Sequence, residues 1–278
     1  MKQILPLAVL LGISLTLRGQ FSETISTDRP CQSIGALTVG KHVLQLQQGV
    51  DFANERDHAG DRTSLETNSW IFNNVIRYGL GRKFEINAAI DYQWLNTRLK
   101  LEQDSLNYNS NAISAFDFGA RYNILEGKNG GPAWCVQARL GFADYVQKNV
   151  LPDDEVGLVI TTSLAQNINE YQSVTVNLGS NSFDNIFYTL NFALSITPKF
   201  GWAIENYGNY AFSQFLDNEF RTYFDTGFWY VLNNDVLIDV QGGYGRNKGY
   251  YYFNNEPEPV LSTFFIGAGI SWRVGGNG

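Results

Sequence analysis

This chain of 278 residues contains only two cysteines, two histidines and one methionine. Hydrolases that use a nucleophile need a histidine base beside a serine or an acid. His42 lies at the start of a predicted strand, and His58 lies in a polar loop with Asp57 and Asp61. These loop residues form a weak pattern for a metal site, and no glycine-rich phosphate-binding motif leads from a strand into a helix. The scarcity of such groups argues against an enzyme and predicts no metal and no cofactor.

Long apolar runs and clusters of positive charge are missing as well. Beyond the N-terminus, no stretch reaches the ~18 apolar residues that a membrane helix requires. Lys and Arg number 20 against 27 Asp and Glu, which gives a net charge of −7. An acidic chain without basic clusters argues against binding to nucleic acid, because phosphate contacts need Lys and Arg. Any segment that spans a membrane must therefore be a β-strand.

The N-terminus has the pattern of a secretory signal peptide over residues 1–19. Lys2 supplies the positive charge, the apolar stretch runs from Ile4 to Leu17, and Gly19 is a small residue before a plausible cleavage point. A buried N-terminal helix is the alternative. Export would place the mature chain where disulfides can form. We divide the rest into an N-terminal segment (20–41), a β-domain (42–274) and a tail (275–278).

Glycine (27 residues) and aromatic residues (14%) are abundant, and apolar and polar side chains alternate strictly. In the segment 114–124, Phe116 and Phe118 alternate with Asp117, Gly119 and Arg121. A period of two predicts a strand with one apolar and one polar face. Similar patterns predict strands at 42–52, 66–78, 84–94, 114–124, 133–143, 156–166, 172–179, 186–197, 200–210, 220–232, 236–246 and 262–274.

The connections between these segments differ in length on the two sides. They are short after the even-numbered strands, as at 79–83 and 233–235. They are long and polar after most odd-numbered strands, as at 53–65 and 95–113. Short turns on one side and long loops on the other are typical of outer-membrane barrels, with the short turns in the periplasm.

Proline and aromatic residues favour the same architecture. All seven prolines lie outside the predicted strands, and aromatic residues concentrate near both strand ends. Two aromatic girdles are typical of membrane barrels, whereas the core of a soluble sandwich would also need aromatics at mid-strand. The sequence therefore predicts an all-β fold, a transmembrane antiparallel up-and-down β-barrel of 12 strands, with 10 or 14 strands as alternatives.

Several stretches carry a family resemblance in their order and spacing: residues 26–30 (STDRP) leading into 39–41 and 44–52, then 76–86, 116–122, and 203–208 through 233–239 to 267–274. Together they resemble the outer-membrane transporter family named for the meta-pathway of phenol degradation. The resemblance implies an outer-membrane transporter of a Gram-negative bacterium, with membrane lipids and the barrel-assembly machinery as partners. The chain departs from such barrels at Gly275–Gly278, because they commonly stop on an aromatic residue.

Charged side chains on the polar strand faces are the candidate site residues. By alternation they point into the lumen, since an arginine on the lipid face would cost ~2–4 kcal/mol near the midplane. The candidates are Asp51, Arg77, Glu85, Asp91, Asp117, Arg121, Arg139, Glu205, Asp225, Asp239 and Arg273. Seven acids against four arginines make a mildly acidic wall, which would favour cations or neutral polar solutes. Alternatively, these charges only pair with each other and fill the lumen.

The N-terminal segment is a candidate plug for this lumen. Asp28 and Arg29 could reach the charged wall from the periplasmic side. We also hypothesise a disulfide between Cys31 and Cys135, which would hold the segment in the barrel mouth; two free thiols are the alternative.

The resulting functional prediction is a porin-like outer-membrane barrel that passes or binds a small-molecule solute. The alternative is a non-transporting barrel with a structural or surface-binding role.

Overall fold

The computed structural model describes residues 24–59, 63–101, 104–142, 156–182, 185–212, 219–248 and 260–275. The predicted signal peptide and residues 276–278 of the predicted tail lie outside the described residues. The strands are β1 (Val43–Ala59), β2 (Thr63–Gly79), β3 (Phe84–Lys100), β4 (Ser105–Glu126), β5 (Ala133–Phe142), β6 (Val156–Asn167), β7 (Gln172–Asn181), β8 (Asn185–Ser195), β9 (Phe200–Ala211), β10 (Glu219–Asn233), β11 (Val236–Lys248) and β12 (Val260–Gly275).

These twelve described strands form one closed antiparallel barrel in which each pairs with its neighbours in sequence. The ring closes between β1 and β12, in a register that runs from Val43 opposite Gly275 to His58 opposite Val260. The prediction of an all-β barrel with twelve strands is confirmed. Apart from the strands, the described residues contain one short 3₁₀ turn (Lys128–Gly130), and none of their helices is long and apolar enough to span a membrane.

The barrel is inside out compared with a soluble protein. On the outer face, Trp70, Phe118 and Ile266 are exposed by 50%, 51% and 55%. On the inner face, Glu85 and Arg121 are completely buried. Alternation along each strand produces both faces at once, because successive side chains point to opposite sides of a sheet. The apolar surface is therefore the one that faces away from the protein interior.

Four strands are longer than the sequence patterns predicted by four or more residues. β1, β2 and β3 have 17 residues each and β4 has 22, whereas β5 has only 10. Most of the predicted loops 53–65 and 95–113 are therefore strand, and their assignment as loops was wrong. Polar residues continue the ladder there because the pairing uses backbone groups, and polar side chains need no apolar surroundings. A bulge at Ser114 separates the two parts of β4.

Candidate functional site: the lumen and its inner segment

Residues 24–42, which we call the inner segment, run around the inside of the barrel before β1 begins. The segment starts where the Ile25 N–H donates to the Asn234 carbonyl at the β10–β11 turn (2.8 Å). It ends where the His42 N–H donates to the Gly79 carbonyl at the end of β2 (2.8 Å). Both ends lie on the side of the short turns, while the middle of the segment lies deeper in the lumen.

Side chains of the wall accept the backbone N–H groups of the inner segment. These hydrogen bonds, with the backbone donor named first and the side-chain acceptor second, are Cys31 to Gln241 (2.7 Å), Gln32 and Ser33 to Glu205 (2.8 and 3.0 Å), Ile34 to Asn177 (2.8 Å), Thr38 to Asn123 (2.8 Å), and Val39 to Glu85 (2.9 Å). Buried backbone donors need partners, and here the wall supplies them in place of secondary structure. The acceptors lie on β11, β9, β7, β4 and β3, so the segment is fixed around much of the circumference.

The first charged cluster lies against the lumenal face of β2, β3 and β4. Arg121 donates to both carboxylate oxygens of Asp28 (2.8 and 3.2 Å), and Arg77 Nη1 lies 3.6 Å from Asp28 Oδ2. Arg77 also donates to both oxygens of Glu85 (2.8 and 2.9 Å). Burial alone would raise the pKa of Asp28, but the two guanidinium groups and their hydrogen bonds hold that pKa well below its usual range. Two acids therefore face two arginines in a dry, balanced cluster.

The second cluster holds Arg29 against the neighbouring part of the wall, formed by β11, β12 and β1. Its Nε donates to Asp239 Oδ1 (3.1 Å), and its Nη2 lies 3.6 Å from Asp51 Oδ1. The guanidinium occupies a recess made by Gly49 and Gly269, since a Cβ at either position would overlap it. These lumenal glycines therefore create the space into which Arg29 fits.

The third cluster contains two acids without an arginine. Glu205 on β9 and Asp225 on β10 are directly opposed in register, and both side chains are buried. Glu205 accepts from the segment and from Asn191 (3.2 Å), whereas among the described residues no N–H or O–H group donates to Asp225. Cys31, which adopts the left-handed backbone conformation (φ 75°), lies beside them. A non-glycine residue with this φ indicates that surrounding contacts impose the path of the segment.

The hypothesised disulfide is not formed. Cys31 and Cys135 are both buried free thiols. Cys135 Sγ lies 3.7 Å from the Gly35 carbonyl, to which it donates, whereas Cys31 lies on the side of Asp225. The two thiols have different surroundings because Cys31 lies four positions before Gly35, the residue of the segment that passes β5. The alternative of two free thiols is the one observed.

The remaining candidate residues lie above or below the segment. Asp91, Asp117 and Arg139 lie on β3, β4 and β5 toward the long-loop side, and Arg139 donates to Asn87 (3.1 Å). Arg273 lies at the opposite end of the barrel, where it donates to Asp235 in the β10–β11 turn (2.8 Å). The structure thus brings seven of the eleven wall candidates into contact with, or next to, the inner segment. A role for any of them in selectivity stays a prediction.

Two cavities lie on either side of the inner segment. The lower one, about 560 Å³, opens toward the short turns and is lined by Ile25, Ser33 and Ile34 together with small wall residues. The upper one, about 320 Å³, is lined by Gln32 and Ile34 together with Arg139, Tyr207 and Tyr223. The two tyrosines are stacked with ring centroids 5.1 Å apart. Ile34 borders both cavities, so the segment is thinnest there.

Sequence reasoning missed the uncharged residues that hold the segment. They include amide, hydroxyl and glycine positions on the inner face: Gln45, Gly49, Asn123, Ser163, Asn177, Gln241 and Gly269. The alternation of the strands assigned these positions to the lumen, but only charged residues were selected. Glycines on that face at mid-strand were the available signal for a close approach of another chain segment.

No family model and no curated protein sequence matches this chain. Among solved structures, an outer-membrane channel from Pseudomonas putida F1 has a TM-score of 0.62 at 10% identity, over 86% of this chain and 98% of that one. CymD, a monoaromatic hydrocarbon channel, has a TM-score of 0.52 at 8% identity, over 93% and 100% of the two chains. The translocator domain of the autotransporter NalP from Neisseria meningitidis has a TM-score of 0.50 at 9% identity, over 86% and 91%. At these identities the likeness establishes the fold, that of bacterial outer-membrane barrels.

Proposed function

We propose that this chain is a porin-like channel in the outer membrane of a Gram-negative bacterium, closed in this structure by its own inner segment. The observation that carries the proposal is the pair of lumenal cavities separated by residues 24–42. Displacing the segment would join the two cavities into one polar path. The exposed apolar wall supports insertion in lipid, and correct insertion would make membrane lipids and the barrel-assembly machinery its partners.

The distribution of charge supports a preference among solutes. Opening would remove Asp28 and Arg29 from the lumen together with the segment. On the wall, Arg77 and Arg121 would then face Glu85. Asp51 and Asp239 would lose their arginine, and Glu205 and Asp225 have none beside them. An open lumen would therefore remain acidic and favour cations or neutral polar solutes over anions. The similar fold of CymD, a monoaromatic hydrocarbon channel, supports a small organic molecule as the kind of solute.

A barrel without transport activity is the second candidate. The observation in its favour is that the lumen is filled: Arg77, Glu85 and Arg121 are all buried, by each other and by the segment. In that reading the segment is a permanent core and the barrel serves as a scaffold for its long loops.

Liposome swelling with neutral sugars of graded size separates the two candidates. The complete protein should admit small solutes slowly, and a variant lacking residues 24–38 should admit them rapidly with a sharp size limit. Because the deletion could disturb folding, Gly49→Ala serves as a second variant that displaces Arg29 while keeping the chain complete, since the three atoms nearest to a Cβ there all belong to the Arg29 guanidinium. Swelling that neither variant increases would contradict the channel and favour the scaffold.

A further inference from the structure

The long strands β1–β4 carry ordered rows of side chains on their outer face. In one row, Phe52, Trp70 and Trp94 are register partners on adjacent strands. The next row, two residues farther from the periplasmic end, consists of four asparagines in register: Asn54, Asn68, Asn96 and Asn109. The row beyond contains Arg56, Glu66 and Arg98, and Lys100 follows one row later. We call this surface the asparagine face.

The asparagine face lies at the level of lipid headgroups in the proposed orientation. A 17-residue strand at ~3.4 Å per residue and a tilt of ~40° rises roughly 44 Å, against about 30 Å for the hydrocarbon core. Tryptophan rings favour the interface between hydrocarbon and water, which places Trp70 and Trp94 there. The asparagine row is then ~7 Å farther along the strands and the arginine row ~13 Å farther. β5 and β7, with 10 residues each, have no such extension.

The chemistry of the face suits a sugar that carries phosphate. A groove of about 460 Å³ is lined by Trp70, Trp94 and the amide side chains of Asn68, Asn96 and Asn109. The two tryptophans are exposed by 50% and 45%, so their rings are available to the apolar face of a sugar ring. Side-chain amides both donate and accept, as sugar hydroxyls require of their partners. Asn54 donates to Asn68 (2.8 Å) and Asn96 donates to Asn109 (2.5 Å), which orders the row before any ligand binds.

The charge beyond the asparagine row is positive. Arg56 Nη2 and Glu66 Oε1 form an ion pair at 3.1 Å, and Arg98 and Lys100 are exposed on the same face. Three cations therefore accompany one acid on a chain whose net charge is −7. Guanidinium and ammonium groups at such a position complement a phosphate group.

We propose that the asparagine face binds the headgroup of a phosphorylated glycolipid from the outer leaflet of the membrane. The acyl chains would lie on the apolar wall directly below, where Phe72 contacts Trp94 (ring centroids 5.2 Å apart) and Ile90 is exposed. This continuity favours a lipid over a soluble glycan, and the positive charge disfavours a second copy of the same face. The proposal rests on the membrane location proposed above but not on transport.

Native mass spectrometry of the complete protein in detergent micelles tests the proposal without any transport assay. The probe is a bisphosphorylated glucosamine disaccharide lipid. Phosphatidylglycerol is titrated into the same protein in a separate series for comparison. We expect the glycolipid to bind at least tenfold more tightly than phosphatidylglycerol. Equal binding of the two lipids would overturn recognition of the sugar. Equal binding of the deacylated soluble headgroup would overturn a membrane lipid as the occupant.

Three variants locate the site. Arg98→Glu with Lys100→Glu should weaken glycolipid binding at least tenfold, and Asn96→Ala with Asn109→Ala should remove the preference over phosphatidylglycerol. Arg246→Glu is the matched control, because Arg246 is exposed two residues beyond the outward-facing Tyr244 on β11. The protein should keep wild-type binding with that change. The proposal would be overturned if all three variants lost binding to the same extent, or if none of them did. It would also be overturned if the protein formed a dimer that the first two variants dissociate.

Discussion

Replacing Asp28 with asparagine tests how the inner segment is held in the lumen. The Asp28 carboxylate is nine-tenths buried and accepts from Arg121, with Arg77 at 3.6 Å. Removing one member of a buried ion pair typically costs ~3–5 kcal/mol, because the partner charge stays buried. Glu85 remains beside both arginines, so we expect the lower end of that range. A loss of ~3 kcal/mol corresponds to a roughly 100-fold shift toward the undocked segment.

Planar-bilayer recording measures that shift as the open probability of single channels. Asp28→Asn should increase it by about two orders of magnitude over the wild type, as the energies above imply. Glu66→Gln is the control, because Glu66 pairs with Arg56 on the outer face of the barrel, where the two side chains are 27% and 54% exposed. Exposed pairs contribute roughly 0–1 kcal/mol, so this change should have little effect. If Asp28→Asn leaves the open probability at the wild-type value, Asp28 does not hold the inner segment in the lumen.

The same contact predicts a pH dependence. The folded-state pKa of Asp28 is lowered, so the docking energy that it supplies is complete above the ordinary aspartate pKa of ~3.9. That energy is lost only as the pH falls through the lowered pKa. The open probability should therefore be constant between about pH 5 and pH 8 as far as Asp28 is concerned. An acid-induced opening in that interval that disappears in Asp28→Asn would contradict this assignment.

Three further changes probe the other contacts. Gly49→Ala should raise the conductance, because its methyl group would overlap the Arg29 guanidinium, whereas Gly81→Ala should not, since a Cβ there meets nothing within 4 Å. Cys31 and Cys135 should both resist a membrane-impermeant maleimide in the folded protein and both react after denaturation, as intact-mass measurements would record; the absence of any maleimide addition after denaturation under non-reducing conditions would instead indicate pairing. Asp225→Asn should raise the melting temperature, because it removes one of two buried carboxylates that lie directly opposite each other, the other being Glu205; a lower melting temperature would show that the charge is needed.

The fold could be predicted from the alternation of apolar and polar residues, because this alternation is a local property of each strand. Segments such as 84–94 and 262–274 show it directly, and the twelve strands follow from it. The upper parts of β1–β4 escaped prediction because Asn, Ser, Thr and charged residues dominate there, and in sequence such polar stretches are typical of loops. Only the backbone pairing in the folded barrel shows that they continue the sheet.

The inner segment could be predicted as a plug but not in its path. Its contacts join residues far apart in sequence, such as Cys31 with Gln241 and Thr38 with Asn123. No period or spacing in the chain encodes such pairs. Charge alone suggested that Asp28 and Arg29 would meet the wall, while the recess for Arg29 depends on two glycines from opposite ends of the barrel sequence, Gly49 and Gly269.

The most direct test of the proposed channel is the ionic conductance of the complete protein and of a variant lacking residues 24–38, recorded side by side in planar bilayers. We expect the complete protein to be mostly closed and the variant to show steady, cation-preferring conductance through the joined cavities. The variant could instead insert with the same barrel signature in circular dichroism and conduct no better than the complete protein. That result would contradict a channel closed by its inner segment.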